Sequence, residues 1–520
     1  MLATTVLYAE FDIDKGSTLR LSYPCGLDVL EATVHRQTEF FADMMLPEGV
    51  HNREEDYTVF FIHEQDAVQY CLSVVKTKHD ANVRRGARVK SVGICSPYQF
   101  CFAFRSLLDI AVEKLFELSL EAPIEAATQV LAKLYDTINL VDVSGVVKSP
   151  VEMRLLKRTM CAKPLCGQVC ISDESLVFST CAQWDDKIVP LKIKLCSTKD
   201  QHEEGLLIDL IQRFGEQTMQ IYNAVLTGSR IIMLGYNLPA GEVCSYVLSV
   251  SSLLCPPLCG IVHRQFPYAN LTDLAFLNVP GYIAGVTNPM FKGKKEWWDM
   301  LCDLSTGDIM TTQQQEKDDA ESSDHDFILE VIDGIQCGFS EEWVRSMFEE
   351  YTRQNIADIV TGEAHFIDLD AQGKRTAINN RRITKWARTD NYDLFQKARQ
   401  AELPSTPAFN ISFLGYLQVL IHEHTPNDVH IERMYADFVS LLNTEDELKE
   451  LLSYLPRSKG GLHIIAQGLF HPSISVKYNT IILLKRLESC PSTASTIKSL
   501  NPFVTLTYTR LHESIIQPTS

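Results

Sequence analysis

Val68, Tyr70, Leu72 and Val74 alternate with Gln69, Cys71 and Ser73. This period of two predicts a strand with unlike faces. Neighbouring stretches read alike. TVLYAEFDI (5–13) and STLRLSYP (17–24) flank a Lys15-Gly16 turn, YTVFFIHE (57–64) is a buried run, and VKSVGICS (89–96) completes a five-stranded layer. A short helix is expected over about 35–46. The pattern then switches to a period of 3.6. Leu107, Leu108, Ala111, Val112, Leu115 and Phe116 share one helical face, and Ile124, Ala127, Val130, Leu131, Leu134 and Ile138 share another. A mainly antiparallel sheet followed by two packed helices is an α+β layer.

From 205 to 310 the order changes. A helix over 204–226, a strand SRIIMLG (229–235), a helix after Pro239 and a strand CGIVHRQ (259–265) alternate. Such alternation predicts an α/β sheet. Residues 311–326, TTQQQEKDDAESSDHD, hold no large apolar side chain and read as an exposed acidic loop. FILEVID (327–333) resumes as a strand. Ser340 then caps a helix whose apolar face is Trp343, Val344, Met347, Phe348 and Tyr351. After Pro404 and Pro407 only helical periodicity remains, as at Ile431, Met434, Phe438, Leu441 and Leu442. Thr444 with Glu447 is a capping-box pattern. The expected division is a first lobe over 1–145, a connector over 146–203, an α/β lobe with its downstream helices over 204–403, and a helical tail over 408–520.

Composition narrows the function. The chain has 520 residues, 45% apolar and 22% charged, and a net charge of −18. Nucleic acid is therefore not expected as a partner, because phosphate binding needs clustered Lys and Arg. The start, MLATTVLYAEFDIDKGS, has no basic flank and meets acids by Glu10, so no secretory signal is read there. The most apolar long run, 243–262, is interrupted by Pro256 and Pro257 and reads as a buried helix then a strand, not a membrane span. Fifteen cysteines without a C-x-x-C pair point to reduced thiols in the cytosol and away from zinc. No phosphate-binding G-x-x-x-x-G-K-[ST] loop, H-E-x-x-H or G-x-S-x-G is present, so no catalytic residue, metal or cofactor is expected.

Charge and aromatic clusters remain. Arg381, Arg382, Lys385 and Arg388 fall within one short stretch, with 381, 385 and 388 on one helical face. Arg84, Arg85, Arg88 and Lys90 form a second cluster, and Lys292, Lys294 and Lys295 a third. Each reads as a solvated face or as a contact for acidic lipid headgroups or an acidic partner. Trp297 and Trp298 precede Met300, Leu301 and Leu304. With a helix starting near Lys294, Trp297 is the expected core anchor, and Trp298 is partly buried with its indole N–H paired.

YAEFDIDKGSTLRLSYP (8–24), MMLPEGVHNREEDYTVFFI (44–62) and VKSVGICSPYQFCFAFRSLLDIAVEKLF (89–116) occur in that order. FPYANL (266–271), VPGYIAGVTNPMF (279–291) and WWDMLCDLSTGDI (297–309) follow. Together they resemble fungal DENN-superfamily proteins of the Arf-GTPase-interacting, polarity-axis-stabilising type. The resemblance implies a longin-like first lobe, an α/β DENN lobe and a groove between them that docks a small GTPase of the Arf or Rab class. It implies a role in vesicle trafficking and cell polarity, by guanine-nucleotide exchange or by docking, in the cytoplasm and peripherally at vesicles or the cell cortex. A cortical scaffold working through the helical tail is the alternative. The motifs supply a structural signature of Phe266, Pro267, Tyr268, Pro280, Gly281, Tyr282, Asn288, Pro289, Trp297 and Trp298.

Overall fold

The computed structural model describes residues 1–12, 14–34, 37–63, 67–80, 86–119, 122–141, 177–194, 200–202, 205–312, 321–361, 381–402, 428–453, 455, 461–498 and 500–516. Arg84, Arg85, most of the expected connector, residues 313–320 of the acidic stretch, and the break at Pro404 and Pro407 lie outside these residues. The chain forms two compact units: Met1–Leu140 with Gln183–Val189 and Lys199–Leu394, and Val141–Ala182 with Pro190–Thr198 and Phe395–Ser520.

The first unit opens with β1 (Thr5–Asp12) and β2 (Gly16–Tyr23), joined by a turn that puts Gly16 at φ +80°. Helices α1 (Leu27–Val34) and α2 (Thr38–Met45) follow, where one helix over 35–46 was expected. Strands β3 (Glu55–His63), β4 (Val68–His79) and β5 (Ala87–Ser96) complete a sheet of order β2-β1-β5-β4-β3. Every pairing in it is antiparallel. Helices α3 (Arg105–Glu117) and α4 (Ile124–Asn139) pack on it. The Thr58 hydroxyl lies 2.7 Å from that of Ser73 and donates to Met44 O of α2, while Lys76 reaches Glu113 of α3 at 3.1 Å. Ser73 and Lys76 have opposite parity along β4, so α2 and α3 cover opposite faces.

A two-stranded ribbon, β6 (Val177–Trp184) and β7 (Lys187–Lys194), precedes the second sheet. The helix expected over 204–226 is broken. α5 (Leu207–Phe214) ends where Gly215 takes φ +53°, and α6 (Thr218–Leu226) resumes after a single tight turn. Then come β8 (Ile231–Leu234), α7 (Ala240–Ser251), β9 (Gln265–Phe266), β10 (Ile283–Val286), the short α8 (Met290–Gly293), β11 (Met300–Asp303) and β12 (Asp308–Thr311). The sheet order is β12-β11-β8-β10-β9, with β8 parallel to both β10 and β11.

Three expectations fail here for identifiable reasons. CGIVHRQ is a strand only at Gln265. The Asp200 carboxylate takes the N–H groups of Gly260 and Val262 at 2.9 and 2.8 Å, donors that a ladder would need, and Ile261–Arg264 coils into a 3₁₀ turn. FILEVID and the end of the acidic stretch are helical, within α9 (Glu321–Gln336). Ile328 and Val331 are buried one turn apart and Phe327 stacks on Tyr351, so a run of strand-favouring residues is recruited by tertiary packing. Finally, no helix carries Trp297, Leu301 and Leu304 on one side, because β11 begins at Met300. Trp298 is the buried anchor at 2% exposure and its indole donates to Phe291 O at 3.0 Å, whereas Trp297 is only partly buried.

α10 (Glu341–Thr361) starts at Ser340 as expected, with the Ser340 hydroxyl accepting Trp343 N–H at 3.4 Å. Its Val344, Phe348 and Tyr351 are buried. Residues 381–386 are helical, and α11 (Asp390–Glu402) follows. In the second unit, α12 (Asp428–Leu441), α13 (Glu445–Ser453), α14 (His463–Ala466), α15 (Ile474–Ser489), α16 (Ala494–Ile497) and α17 (Pro502–Ile516) are all helical. The capping box before α13 forms: Thr444 N–H donates to the Glu447 carboxylate at 2.8 Å, and Glu447 N–H to the Thr444 hydroxyl at 3.3 Å. Met434, Phe438 and Leu442 are buried as predicted, while Leu441 is exposed. The chain thus has the mixed class read from its sequence: an antiparallel sheet with helices, an α/β region, and a helical C-terminal part.

Candidate functional site

β8 and β10 are adjacent parallel strands whose onward connections part. The chain leaves β8 for α7, which lies against Gly285; a Cβ there would stand 2.9 Å from side-chain carbons of both Val243 and Val247. It leaves β10 for α8, which belongs to the opposite face. There Ile232, Leu234, Tyr282, Ala284, Val286, Phe291, Trp298 and Leu301 form one core. Adjacent strands with crossovers on opposite faces open a crevice at their carboxyl ends.

That edge carries Gly235-Tyr236-Asn237 after β8 and Thr287-Asn288-Pro289 after β10. Asn237 sits at φ +63°, a conformation that Asn tolerates better than most residues. Tyr236 and Met290 are exposed there at 51% and 58%. The first sheet contributes the turn between α2 and β3. Glu48 N–H donates to the Tyr268 hydroxyl at 3.1 Å, and the Asn288 amide donates to the Glu48 carboxylate at 3.1 Å. The Arg53 guanidinium donates to Asn237 O at 2.6 Å. Burial pushes the Tyr268 hydroxyl above its usual titration range, so it stays a neutral acceptor for Glu48.

Behind this rim the two sheets' elements are packed shut. The Asp56 carboxylate caps α7 by accepting Ala240 and Gly241 N–H. Its charge also suits the helix N-terminus. The Tyr57 hydroxyl lies 3.0 Å from that of Ser245, and a Cβ on Gly241 would fall 2.3 Å from the Tyr57 ring. Cys244 accepts Val59 N–H at 3.4 Å. The groove expected between the lobes is therefore closed along β3 and α7. The accessible ground is its rim, at the carboxyl edge.

The signature residues divide by role. Tyr282 and Trp298 are core; the Tyr282 hydroxyl donates to Trp297 O. Gly281, at φ +60°, lets the chain pass Gly228, whose carbonyl would be 2.6 Å from a Cβ. Phe266 lies in β9 and Pro267 follows it, its carbonyl close under Gly285. Pro280 and Pro289 are exposed turn residues. Tyr268 and Asn288 instead tie the carboxyl edge to Glu48. Glu48, Arg53 and Asp56 were not singled out from the sequence, although all three lie within the quoted 44–62 stretch; a cap or a tether to a distant loop leaves no periodic trace.

The basic cluster over 381–388 is split. Arg382 is buried, paired with Asp324 at 3.1 Å and donating to Asn223 Oδ1 at 3.0 Å, with the Tyr351 ring beside it. It is removed from any anionic surface contact. Arg381, Lys385 and Arg388 are exposed. Lys292 is held by Asp303 at 2.9 Å. Among the described residues there is no group of His, Cys, Asp or Glu side chains that could hold a metal ion, and no helix long and apolar enough to cross a membrane.

Two docked lobes, one carrying an antiparallel sheet and the other an α/β sheet, share this rim. Residues 5–90 match the family described as the docking domain of Afi1 for Arf3 in vesicle trafficking, and residues 205–313 match the family described as stabilization of polarity axis. An AFI1-like protein of Schizosaccharomyces pombe is 23% identical over 598 aligned positions, covering 93% of this chain and 94% of that protein. DENN domain-containing protein 10 of Dictyostelium discoideum is 28% identical over 28% of this chain and 37% of its own length. DENN domain-containing protein 11 of Danio rerio is 25% identical over 43% of this chain and 40% of its own. These matches bear out the resemblance read from the sequence: the chain is similar to fungal proteins of the Afi1 and polarity-axis type and, over shorter stretches, to DENN domain-containing proteins.

Proposed function

We propose that this protein docks a small GTPase of the Arf class in vesicle trafficking and polarised growth, through the rim where its two matched segments meet. One observation carries the reading. Glu48 and Arg53, from the segment matching a docking domain, bond Tyr268, Asn288 and Asn237, from the segment matching the polarity family. A surface assembled from both segments and already hydrogen-bonded is preorganised, which lowers the ordering cost of binding. Tyr236 and Met290 stand exposed on it, and Tyr and Met are residue types enriched at protein interfaces. Docking needs no bond-making residue, in keeping with a sequence that offers no catalytic motif.

A Rab-type partner and nucleotide exchange are finer alternatives within the same reading. An exchanger stabilises the empty GTPase, whereas a docking partner discriminates between loaded states. The test is binding of the full chain to a panel of Arf and Rab GTPases, empty, GDP-loaded and GTP-loaded, with nucleotide release followed in parallel. Arf binding that favours the GTP-loaded form, without faster release, is expected. Tyr236→Ala with Met290→Ala should weaken it at least about tenfold. Binding to no member of the panel would end the proposal. Peripheral contact with anionic membranes through Arg381, Lys385 and Arg388 is a separate part of the reading. Reversing those three charges should weaken binding to phosphatidylserine vesicles, and unchanged binding removes it.

A further inference from the structure

Cys71 of β4 and Cys95 of β5 stand directly opposite each other in the antiparallel ladder. Their sulfurs are 3.2 Å apart, one thiol donating to the other. Both residues are buried, at 1% and 2% exposure. We infer that these two thiols are a reversible redox couple, closing to a cross-strand disulfide under peroxide and reopening under thiol reductants.

The geometry is close to what the bond needs. Directly opposed residues of an antiparallel pair have Cβ atoms about 4.5–5.5 Å apart, against about 3.5–4.5 Å in a disulfide. A small local adjustment therefore suffices. Buried cysteines are often only small apolar fillers, and that role accounts for the burial. It does not account for two sulfurs meeting head-on at register-paired positions.

The chemistry balances with peroxide as the oxidant. One thiolate attacks a peroxide oxygen, breaking the O–O bond and forming a sulfenic acid; the departing hydroxide takes a proton and leaves as water. The second thiol then attacks that sulfur. The S–S bond forms, the S–O bond breaks, and a second water departs with the remaining proton. Both sulfurs are oxidised and the peroxide supplies the two-electron sink. In a reducing compartment the resting pair is dithiol, and such disulfides are typically transient and redox-sensing. Burial pushes the Cys71 thiol up, so the reaction waits on local opening and is slower than at an exposed cysteine.

The experiment uses the full chain with the two thiols that are exposed among the described residues removed, Cys181→Ser with Cys337→Ser. The native protein is treated with hydrogen peroxide, quenched, unfolded and alkylated, and its intact mass is read. Two alkylation sites should be lost, the unalkylated protein lighter by two hydrogens, with full recovery after dithiothreitol. A non-reducing digest should join the Cys71 and Cys95 peptides, and Cys95→Ala should abolish the loss. Retention of all alkylation sites overturns the inference. So does a linkage through other cysteines, such as Cys255 to Cys259, or oxidation that stops on one sulfur. The digest of the parent protein decides the matter even where the Cys95 variant folds poorly.

Discussion

The Asp56 carboxylate accepts the Gly241 N–H at 3.0 Å across 185 positions of chain. It takes Ala240 N–H as well, at 2.8 Å. A strand of one sheet thereby supplies the cap for the helix that covers the other. Asp56→Ala removes the acceptor for two buried donors and should lower unfolding stability by about 2 kcal/mol. Asp56→Asn keeps one carbonyl oxygen and should cost less. Urea denaturation reads both, and a neutral alanine variant would show that the seam does not depend on this cap.

His202 makes stability acid-sensitive. It is buried against Phe61 and Tyr70, its Nε2 has no hydrogen-bond partner among the described residues, and burial with Arg345 nearby depresses its pKa to about 3. The folded state therefore holds it neutral while the unfolded chain protonates it near pH 6.5. Its stabilising contribution is complete above that pH and is lost progressively as pH falls from 6.5 towards 3. Between pH 7 and pH 5 this one residue should remove about 2 kcal/mol. His202→Gln should show a correspondingly smaller loss over that interval by urea denaturation. Equal losses in the two proteins would contradict the assignment.

The cations over 381–388 should behave as two kinds of residue. Arg382→Ala leaves Asp324 buried and uncompensated, at a cost of about 3–5 kcal/mol. Arg381→Ala, Lys385→Ala and Arg388→Ala should each stay within about 0.5 kcal/mol, as surface changes do. Thermal unfolding separates the two outcomes.

Adjacent tryptophans should differ in the same way. Trp298→Ala empties a core position and removes the indole donor to Phe291 O, which keeps the Lys294 N–H at 3.2 Å, so a loss of about 3–5 kcal/mol is expected, mostly from the lost packing. Trp297→Ala removes a half-buried ring and should cost less than half of that. Equal effects would mean that the strand start at Met300 is misplaced.

These contrasts mark what the residues reveal before folding. The 3.6 period at 107–116 reports a single buried face and that helix forms as read, whereas alternation along 68–74 finds the strand but not that Cys71 and Ser73, on its other face, are buried too. Where a side chain from far away decides, pattern is silent. Asp200 claims the donors of Gly260 and Val262 and cancels a strand that CGIVHRQ otherwise promises. Tyr351 and its neighbours turn FILEVID into a helix. For the candidate surface, Tyr268, Asn288 and Pro289 were legible through the motifs that contain them. Their tie to Glu48 was not, because a hydrogen bond between loops 240 positions apart is a property of the assembled fold.

Arg382 also bears on where the molecule may be cut. The polarity match stops at residue 313, yet the Asp324 carboxylate and the Arg382 guanidinium meet beyond it, and Asn391 reaches back to the Cys259 carbonyl while accepting the Trp386 indole at 2.9 Å. A fragment trimmed to the recognisable segments would strip a clasp from the body it fastens. The shortest soluble version of the first unit should therefore run through Leu394, and homology boundaries are the wrong guide for choosing it.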